Sequence, residues 1–97
     1  SYLALAFPDE NDRDLVLQVA LVKYKREALE QERWLLRHQV SYQWITVELS
    51  GERFNLLVAG PYDAGPILAR KRKFLQQGLG YTQAMPVMTM GLVSKES

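Results

Sequence analysis

Residues 53–63 read RFNLLVAGPYD, and this stretch predicts a strand that lies inside a sheet. From Phe54 to Ala59 the residues are aromatic, branched or small and apolar, apart from Asn55, which is the composition that sheets favour. Gly60 and Pro61 then predict an abrupt end, and a helical pattern follows. A shorter run, LVLQVALV, precedes another charged helical segment. The chain therefore contains strand followed by helix twice.

Length and composition indicate one small globular domain. The chain has 97 residues, of which 47% are apolar and 24% are charged, and these are ordinary values for a folded protein. A net charge of +1 provides no general field that would collect nucleic acid or anionic lipid. Because there are no cysteines, disulfides, thiolate catalysis and cysteine-ligated zinc are excluded.

The chain divides into a central domain and two ends. The run SYLALAF at residues 1–7 is apolar, but it is too short to span a bilayer and lacks the features of a signal peptide. We expect residues 1–14 to form an extension and entry loop, residues 15–90 the domain, and residues 91–97 a tail. Because the chain begins at Ser1 without Met, we expect an excised domain whose anchor and address signals lie elsewhere in a longer protein.

Periodicity predicts the remaining elements. Good helix formers with an apolar stripe occupy residues 25–39, and Pro66 suits the first turn of a second helix. The run YQWITVEL is rich in aromatic and β-branched residues and should form a hairpin with the strand after it. Residues 81–90 predict a last strand, and Pro86 favours an edge position there because proline cannot donate to a ladder.

The predicted order is strand, helix, strand, strand, helix, strand. This βαββαβ order predicts an α+β fold of the split βαβ type, in which a four-stranded antiparallel sheet carries two helices on one face. The other face of the sheet is then left uncovered, and partners should meet the protein there.

Two short motifs carry a resemblance to a known family. QVA at residues 18–20 and LVAGPY at residues 57–62, each with the helix that follows, resemble the SPOR (sporulation-related repeat) family. That family has a Gln-Val-Gly-Ser-Phe-like first strand and an Arg-Val-Gly-Pro-Phe-like third strand, and the likeness covers about residues 16–87. The sequence departs from the pattern at Ala20 and Leu21, which replace the Gly-Ser pair, and at Leu56 and Val58, where relatives are often charged.

The resemblance implies non-catalytic binding to bacterial peptidoglycan, specifically to glycan strands stripped of stem peptides. Such domains target a larger envelope protein to the division septum, so the resemblance also implies a periplasmic or cell-envelope location, with the parent protein anchored in the inner membrane. Peptidoglycan glycan is then the expected partner, with septal proteins or a second copy as further candidates. Neither a cofactor nor a metal is expected, and nucleic acid is not an expected partner.

The physical chemistry of sugars predicts which side chains such a site needs. Sugar rings present flat C–H faces that lie on aromatic side chains, whereas their hydroxyl and acetamide groups require polar partners. We expect the uncovered face to combine both kinds of group. The predicted glycan-binding residues are Gln18, Ala20, Trp44, Thr46, Phe54, Leu56, Gln83 and Met85.

The hairpin register leaves two arrangements open. A three-residue loop places Trp44 and Phe54 on the same side of the sheet, whereas a two-residue turn at Ser50 and Gly51 places Phe54 with Ile45 and Val47. A slip of one residue moves every side chain of a strand to the other face. Following the family resemblance, we expect the three-residue loop and an uncovered face that carries both aromatic side chains.

Other functions are less well supported by the sequence. The apolar sheet face is also suited to protein–protein interaction or self-association, which is the main alternative. RNA binding would use aromatic side chains on a similar sheet, but the near-neutral charge disfavours it. No acid pair, nucleophile with a base, or metal cluster indicates an enzyme. His38 and the basic run at residues 70–73 are interpreted as solvated helix positions.

Overall fold

The computed structural model describes residues 13–90 and has the predicted order of elements. The elements are β1 (Leu15–Val22), a 3₁₀ turn (Lys25–Ala28) that leads into α1 (Leu29–Arg37), β2 (Tyr42–Leu49), β3 (Glu52–Tyr62), α2 (Pro66–Gly78) and β4 (Val87–Thr89). The extension expected at residues 1–14, apart from its last two residues, and the tail expected at residues 91–97 lie outside the described part of the chain.

The four strands form one antiparallel sheet in the order β2-β3-β1-β4. This order is that of the split βαβ fold, so the predicted fold class is confirmed. The last strand takes the edge position that Pro86 favours, but it is only three residues long. Pro86 lies just outside it and accepts a hydrogen bond from the Gln18 backbone N–H over 2.9 Å.

Both helices pack on one face of the sheet. Leu35 of α1 and Leu75 of α2 are fully buried against Leu17 and Leu57 of the two central strands. Full burial of one leucine side chain is worth roughly 1.5–3 kcal/mol, so this layer is a main source of stability. Among residues 13–90, no helix has the length and apolarity needed to cross a membrane.

A two-residue turn joins β2 to β3 and sets the register of the hairpin. Leu49 pairs with Glu52, and the two residues between them have positive φ angles, 52° for Ser50 and 80° for Gly51. Positive φ at both central positions is the type I′ geometry whose twist matches that of the flanking strands. The three-residue loop expected from the sequence is therefore wrong, and Phe54 pairs with Val47 rather than sharing a face with Trp44.

A register shift in β1 changes which of its side chains share a face. Gln18 pairs with Val58, but Ala20 pairs with Leu57, so two steps along β1 correspond to one step along β3. An extra residue of this kind is a β-bulge, and it reverses the inward and outward alternation beyond it. Consequently Ala20 and Val22 pack against the helix-side core instead of sharing the face of Gln18.

The third strand continues through the glycine and proline that were predicted to end it. Tyr62 pairs with Leu15, and the Gly60 N–H donates to the Ser41 carbonyl over 2.9 Å. Gly60 has a φ of 125°, and a side chain there would place its Cβ 3.0 Å from the Leu15 carbonyl oxygen. Glycine therefore lets the two backbones approach while the strand goes on to Tyr62.

The face of the sheet turned away from the helices has its own apolar cluster. It is called the second-face cluster below, and its members are Val16, Val47, Leu56, Val58 and Met88. Each of these side chains is at most 5% exposed. The expectation of an uncovered face is therefore not met at the centre of the sheet.

Candidate ligand groove along strand β1

The short last strand leaves a groove beside the second half of β1. Strand β4 pairs only with Leu15, Val16 and Leu17, whereas β1 continues to Val22. Residues 81–86 pass alongside this second half without forming a strand. The space between them has a volume of about 380 Å³ and is called the β1 groove; its lining consists of residues 18–21, Leu56 and residues 81–86.

The β1 groove brings together five of the eight residues predicted to bind glycan. Gln18 and Met85 are buried and contribute to its inner wall, while Gln83 is exposed on the segment opposite β1. The five predicted residues that line the groove are Gln18, Ala20, Leu56, Gln83 and Met85. They meet beside the second half of β1, which β4 does not cover. We had expected them to spread across the face of the sheet opposite the helices.

Trp44 lies on the helix side of the sheet, so its predicted place on the open face is wrong. The indole Nε1 of Trp44 donates to the Glu32 carboxylate over 3.2 Å, and the Tyr42 hydroxyl donates to the same carboxylate oxygen over 2.8 Å. Both rings pack against the helix-side core. The two-residue turn is the physical reason, because it pairs Trp44 with Leu57.

The other two predicted residues also lie away from the groove. Phe54 is on the second face, as predicted, but it is half-buried beside Val47, and the Lys23 ammonium lies 5.9 Å from its ring centroid. Thr46 is exposed and pairs with Asn55 near the far end of the hairpin, on the same side of β2 as Trp44. A single continuous surface containing all eight residues does not form.

Tyr81 is a groove residue that sequence reasoning missed. Its hydroxyl donates to the Val19 carbonyl over 2.8 Å, which ties residues 81–86 to β1. Burial is the main cause that raises the pKa of Tyr81 above its ordinary value, with a smaller opposing effect from a hydrogen bond with Gln31. The aromatic ring at the start of the predicted last strand was the only signal in the sequence, because the hydrogen bond of Tyr81 to Val19 joins residues far apart in the chain.

A second tether holds the outer wall of the groove to α2. The Arg72 Nε donates to the Met85 carbonyl over 2.8 Å, so this half-buried residue of the basic run is not simply solvated. Together with the Tyr81 hydroxyl, it fixes the path of residues 81–86 from both sides. A groove whose walls are held in this way can bind a ligand with little loss of conformational entropy.

The lining of the groove combines neutral polar groups with apolar surface. The exposed Gln83 contributes a carboxamide and Thr82 a hydroxyl, and apolar surface comes from Ala20 and Leu21. Gln18 and Met85 also border the groove, but their side chains are buried. Among the described residues that line the groove, none carries a formal charge, and none is a histidine or a carboxylate. The groove is therefore suited to a ligand with hydroxyl, amide and C–H groups.

A second hollow, of about 410 Å³, lies between α1 and the end of α2. Its lining includes Glu30, Arg33 and Arg37, and it contains none of the eight predicted residues. Its Trp34 ring stacks on His38 with 3.9 Å between centroids. His38 is exposed at the end of α1, as predicted, and in the described part of the chain no group of three or more potential ligands is placed to hold a metal.

No protein-family model, no curated protein and no solved structure matches this chain. A function for this chain can therefore be inferred only from the residues of the groove and from the motifs at residues 18–20 and 57–62.

Proposed function

We propose that this chain is a non-catalytic module that binds glycan strands of bacterial peptidoglycan, and that the β1 groove holds the sugar. The observation that carries this proposal is that five residues chosen from the sequence for glycan binding line one groove. The first of them, Gln18, belongs to one of the two motifs that resemble the SPOR family, and Leu56 directly precedes the other.

The chemistry of the groove suits amino sugars. Carboxamide groups both donate and accept hydrogen bonds, so the exposed Gln83 side chain can meet hydroxyl and acetamide groups, whereas the Gln18 side chain is buried. Apolar surface from Ala20, Leu21 and the Tyr81 ring is available for the C–H face of a sugar ring. Because the lining is uncharged, discrimination among sugars would come from hydrogen bonding and shape.

The dimensions of the groove predict weak binding. A volume of about 380 Å³ lies near the lower end of the range for ligand sites, which corresponds to one or two sugar rings. Covering roughly 50–100 Å² of apolar surface per ring contributes about 1–2 kcal/mol. The expected dissociation constant for the groove alone is therefore about millimolar or weaker. Repeated sites along one glycan strand would raise the local concentration of ligand, so that a released domain rebinds nearby.

Weak, reversible binding to stripped glycan is suited to targeting. In this proposal the domain directs a larger envelope protein to the division septum, where such glycan is produced, and works in the periplasm or cell envelope. In this proposal the distribution of stripped glycan determines where the protein binds, and no cofactor takes part.

Titration followed by backbone amide NMR tests the proposal. Denuded glycan oligomers, peptide-bearing peptidoglycan fragments and single-stranded RNA are added separately to the labelled domain. With denuded glycan we expect saturable shift changes at Gln18, Leu21, Thr82 and Gln83, and much smaller ones at Gln43 on β2. Saturable changes with RNA, or changes with glycan that avoid residues 18–21 and 81–86, would contradict the proposal.

A pair of matched variants separates the groove from the rest of the surface. Gln83→Ala removes an exposed carboxamide from the groove, and Gln43→Ala removes an exposed carboxamide from β2. We expect Gln83→Ala to weaken binding to purified sacculi about three- to tenfold in sedimentation, as loss of one or two hydrogen bonds predicts. Gln43→Ala should bind like the unsubstituted domain. Equal binding by both variants would show that the β1 groove does not hold the glycan.

Self-association through the apolar sheet face is the alternative function. The burial of Val16, Leu56, Val58 and Met88 weighs against it, since buried side chains cannot meet a second copy without rearrangement. Dilution of the labelled domain without glycan is the test. Shift changes at second-face residues that depend on protein concentration would favour this alternative.

A further inference from the structure

Helices α1 and α2 meet through a partly exposed group of three aromatic rings, called the aromatic cluster. Trp34 stacks on His38 with 3.9 Å between centroids, and Phe74 lies 5.3 Å from Trp34 and 5.8 Å from His38. The His38 Nδ1 donates to the Trp34 carbonyl over 2.8 Å, which holds the imidazole against the indole. Gly78 lets the indole lie on the end of α2, since a Cβ there would overlap the Trp34 Cζ2 atom. The rings are therefore held in place before any ligand arrives.

A hollow lies on each side of the aromatic cluster. The first has a volume of about 310 Å³, and its lining residues follow the i, i+3, i+4, i+7 spacing of one helix face: Ile67, Arg70, Lys71 and Phe74. The second is the hollow of about 410 Å³ between α1 and the end of α2, which Trp34 borders. Because the rings of Phe74 and Trp34 are neighbours, the cluster joins the two hollows. The two hollows and the aromatic cluster together are called the α1–α2 seam.

The seam is positively charged, although the net charge of the whole chain is only +1. Its cations are Arg70 and Lys71 at the first hollow and Arg33 and Arg37 at the second. Among residues 13–90, none of these four side chains forms an ion pair. Helix α2 contains no aspartate or glutamate, and Glu30 is the one carboxylate among the described residues that line the seam. The seam therefore attracts anionic groups.

Apolar side chains are exposed between these cations. Ile67 is 59% exposed and Phe74 is 44% exposed. The Lys71 ammonium lies 6.0 Å from the centroid of the Phe74 ring, so a cation and an aromatic face are presented together. Arginine and aromatic residues are the types enriched at the centres of protein–protein interfaces. The composition of the seam is thus that of a surface that binds a protein chain.

We propose that the α1–α2 seam binds an extended, acidic segment of a partner protein. The apolar side chains of that segment lie on the aromatic cluster, and its carboxylates meet the cations of the two hollows. Charge complementarity supports this occupant, because guanidinium groups bind carboxylates through paired hydrogen bonds. The hollows also favour a polypeptide over a lipid bilayer, since single side chains can enter them and a flat surface cannot.

The spacing of the hollows fits an extended chain. Lys71 borders the first hollow and Gly78 the second, and the seven residues between these positions correspond to about 11 Å along α2. An extended peptide covers this distance in about three residues. Two acidic residues with two apolar residues between them therefore reach both hollows.

This surface is separate from the β1 groove. None of the described residues that line the two hollows also lines the groove. Arg72 reaches Met85 on the groove side of α2, whereas Phe74 contacts Trp34 of α1 on another side. The domain can therefore hold a ligand in the groove and a protein segment in the seam at the same time, and the proposal does not depend on the ligand of the groove.

Titration with a synthetic peptide, followed by NMR, tests the proposal. The probe is the capped peptide Glu-Glu-Leu-Phe-Glu-Glu, and its control is Gln-Gln-Leu-Phe-Gln-Gln. With the acidic peptide we expect saturable shift changes at the Trp34 indole N–H and at the backbone amides of Arg37 and Lys71. The affinity should fall at least about tenfold between about 50 mM and about 500 mM salt. The Trp44 indole N–H, which is bonded to α1 from the side of β2, should not shift.

Several outcomes would overturn the proposal. They are the absence of saturable shift changes in the seam with the acidic peptide, and equal binding of the neutral control peptide. Seam shifts of the same size with phosphatidylglycerol vesicles or with single-stranded RNA would assign the seam to phosphate groups instead. A titration with denuded glycan reports on residues 18–21, 82 and 83, so failure of the seam and failure of the groove are distinguishable.

Charge variants at exposed positions give a second readout. Arg37→Gln removes a cation from the seam, and the matched control Arg53→Gln removes an exposed arginine from the hairpin. We expect Arg37→Gln to weaken binding of the acidic peptide about three- to fivefold and Arg53→Gln to leave it unchanged. Glu30→Gln removes the carboxylate of the seam and should strengthen binding about twofold. Identical affinities for the three variants and the unsubstituted domain would contradict the proposed docking.

Discussion

Trp44 and Glu32 are joined by a hydrogen bond of 3.2 Å between the indole Nε1 and the carboxylate of the helix residue. The Tyr42 hydroxyl donates to the same oxygen over 2.8 Å, and this hydrogen bond is the main cause that raises the pKa of Tyr42 above its ordinary value. Strand β2 lies at an edge of the sheet, so these bonds attach that edge to α1. Trp44, which was predicted to bind glycan, therefore has a structural role.

Replacing Glu32 should destabilise the domain. Glu32→Ala removes the shared acceptor of Tyr42 and Trp44, and hydrogen bonds to a charged group in a partly exposed setting predict a loss of about 1–2 kcal/mol. Urea unfolding measures the free energy change. The control is Glu30→Ala, an exposed position on the same helix, which should change stability by less than about 0.5 kcal/mol. Equal losses for the two variants would show that the hydrogen bonds contribute nothing.

The hairpin turn offers a stabilising substitution. Ser50 has a φ of 52° and precedes Gly51 in a type I′ turn, where asparagine is strongly preferred at the first position. Ser50→Asn should therefore raise the free energy of unfolding by about 0.5 kcal/mol. Ser41→Asn, just before β2, makes the same chemical change outside this turn and should have little effect. Thermal unfolding of both variants provides the comparison.

Much of the fold was predictable because its signals are local. The order of strands and helices follows from periodicity, the hairpin from its alternating apolar residues, and the start of α2 from Pro66. The predicted end of β3 at Gly60 was wrong because a hydrogen bond from the Gly60 N–H to Ser41 keeps the strand paired. That interaction joins residues distant in sequence, and no local pattern reports it.

The site was predicted less well than the fold, because the face of the sheet on which a side chain lies depends on the register between strands. The two candidate turns differ by one residue, and this difference alone moved Trp44 to the helix side. The bulge after Gln18 moved Ala20 in the same way, and an inserted residue leaves no mark in an apolar run. The groove also depends on where β4 begins to pair, which is a tertiary property of residues 81–90.

Gly60 should be much less tolerant of substitution than Gly65. Both residues have φ angles that disfavour a side chain, 125° for Gly60 and 134° for Gly65. Only at Gly60 would the added Cβ meet the neighbouring strand, 3.0 Å from the Leu15 carbonyl oxygen, and nothing lies within 4 Å at Gly65. We expect Gly65→Ala to lower the free energy of unfolding by about 1–2 kcal/mol and Gly60→Ala by about 3 kcal/mol or more.

Chemical denaturation of the two glycine variants distinguishes the cost of backbone strain from the cost of steric contact between β3 and β1. Backbone strain is common to both positions, so the difference between the two losses reports the contact between β3 and β1. If Gly60→Ala and Gly65→Ala are equally destabilised, the close approach of Gly60 to Leu15 is not needed for stability.

The free energy of unfolding of the domain should fall at alkaline pH because the half-buried Tyr81 side chain ionises. Burial raises the pKa of Tyr81 above the ordinary value of 10.0, so the unfolded chain releases this proton at a lower pH than the folded chain. The resulting stabilisation is fully present below pH 10.0 and is lost as the pH rises through the folded-state pKa. Urea unfolding between about pH 8 and about pH 11 should therefore show a decline that Tyr81→Phe makes shallower.

A comparison with Tyr62 separates the two contributions of the Tyr81 hydroxyl. Burial alone raises the pKa of Tyr62, so Tyr62→Phe should also flatten the alkaline decline while leaving stability near pH 8 almost unchanged. Tyr81→Phe should in addition lower stability near pH 8 by about 1 kcal/mol, since it loses the hydrogen bond to the Val19 carbonyl. The same loss frees residues 81–86, so Tyr81→Phe should also weaken glycan binding, which Tyr62→Phe should not. An alkaline decline of unchanged slope in Tyr81→Phe would show that this tyrosine keeps its ordinary pKa in the folded chain.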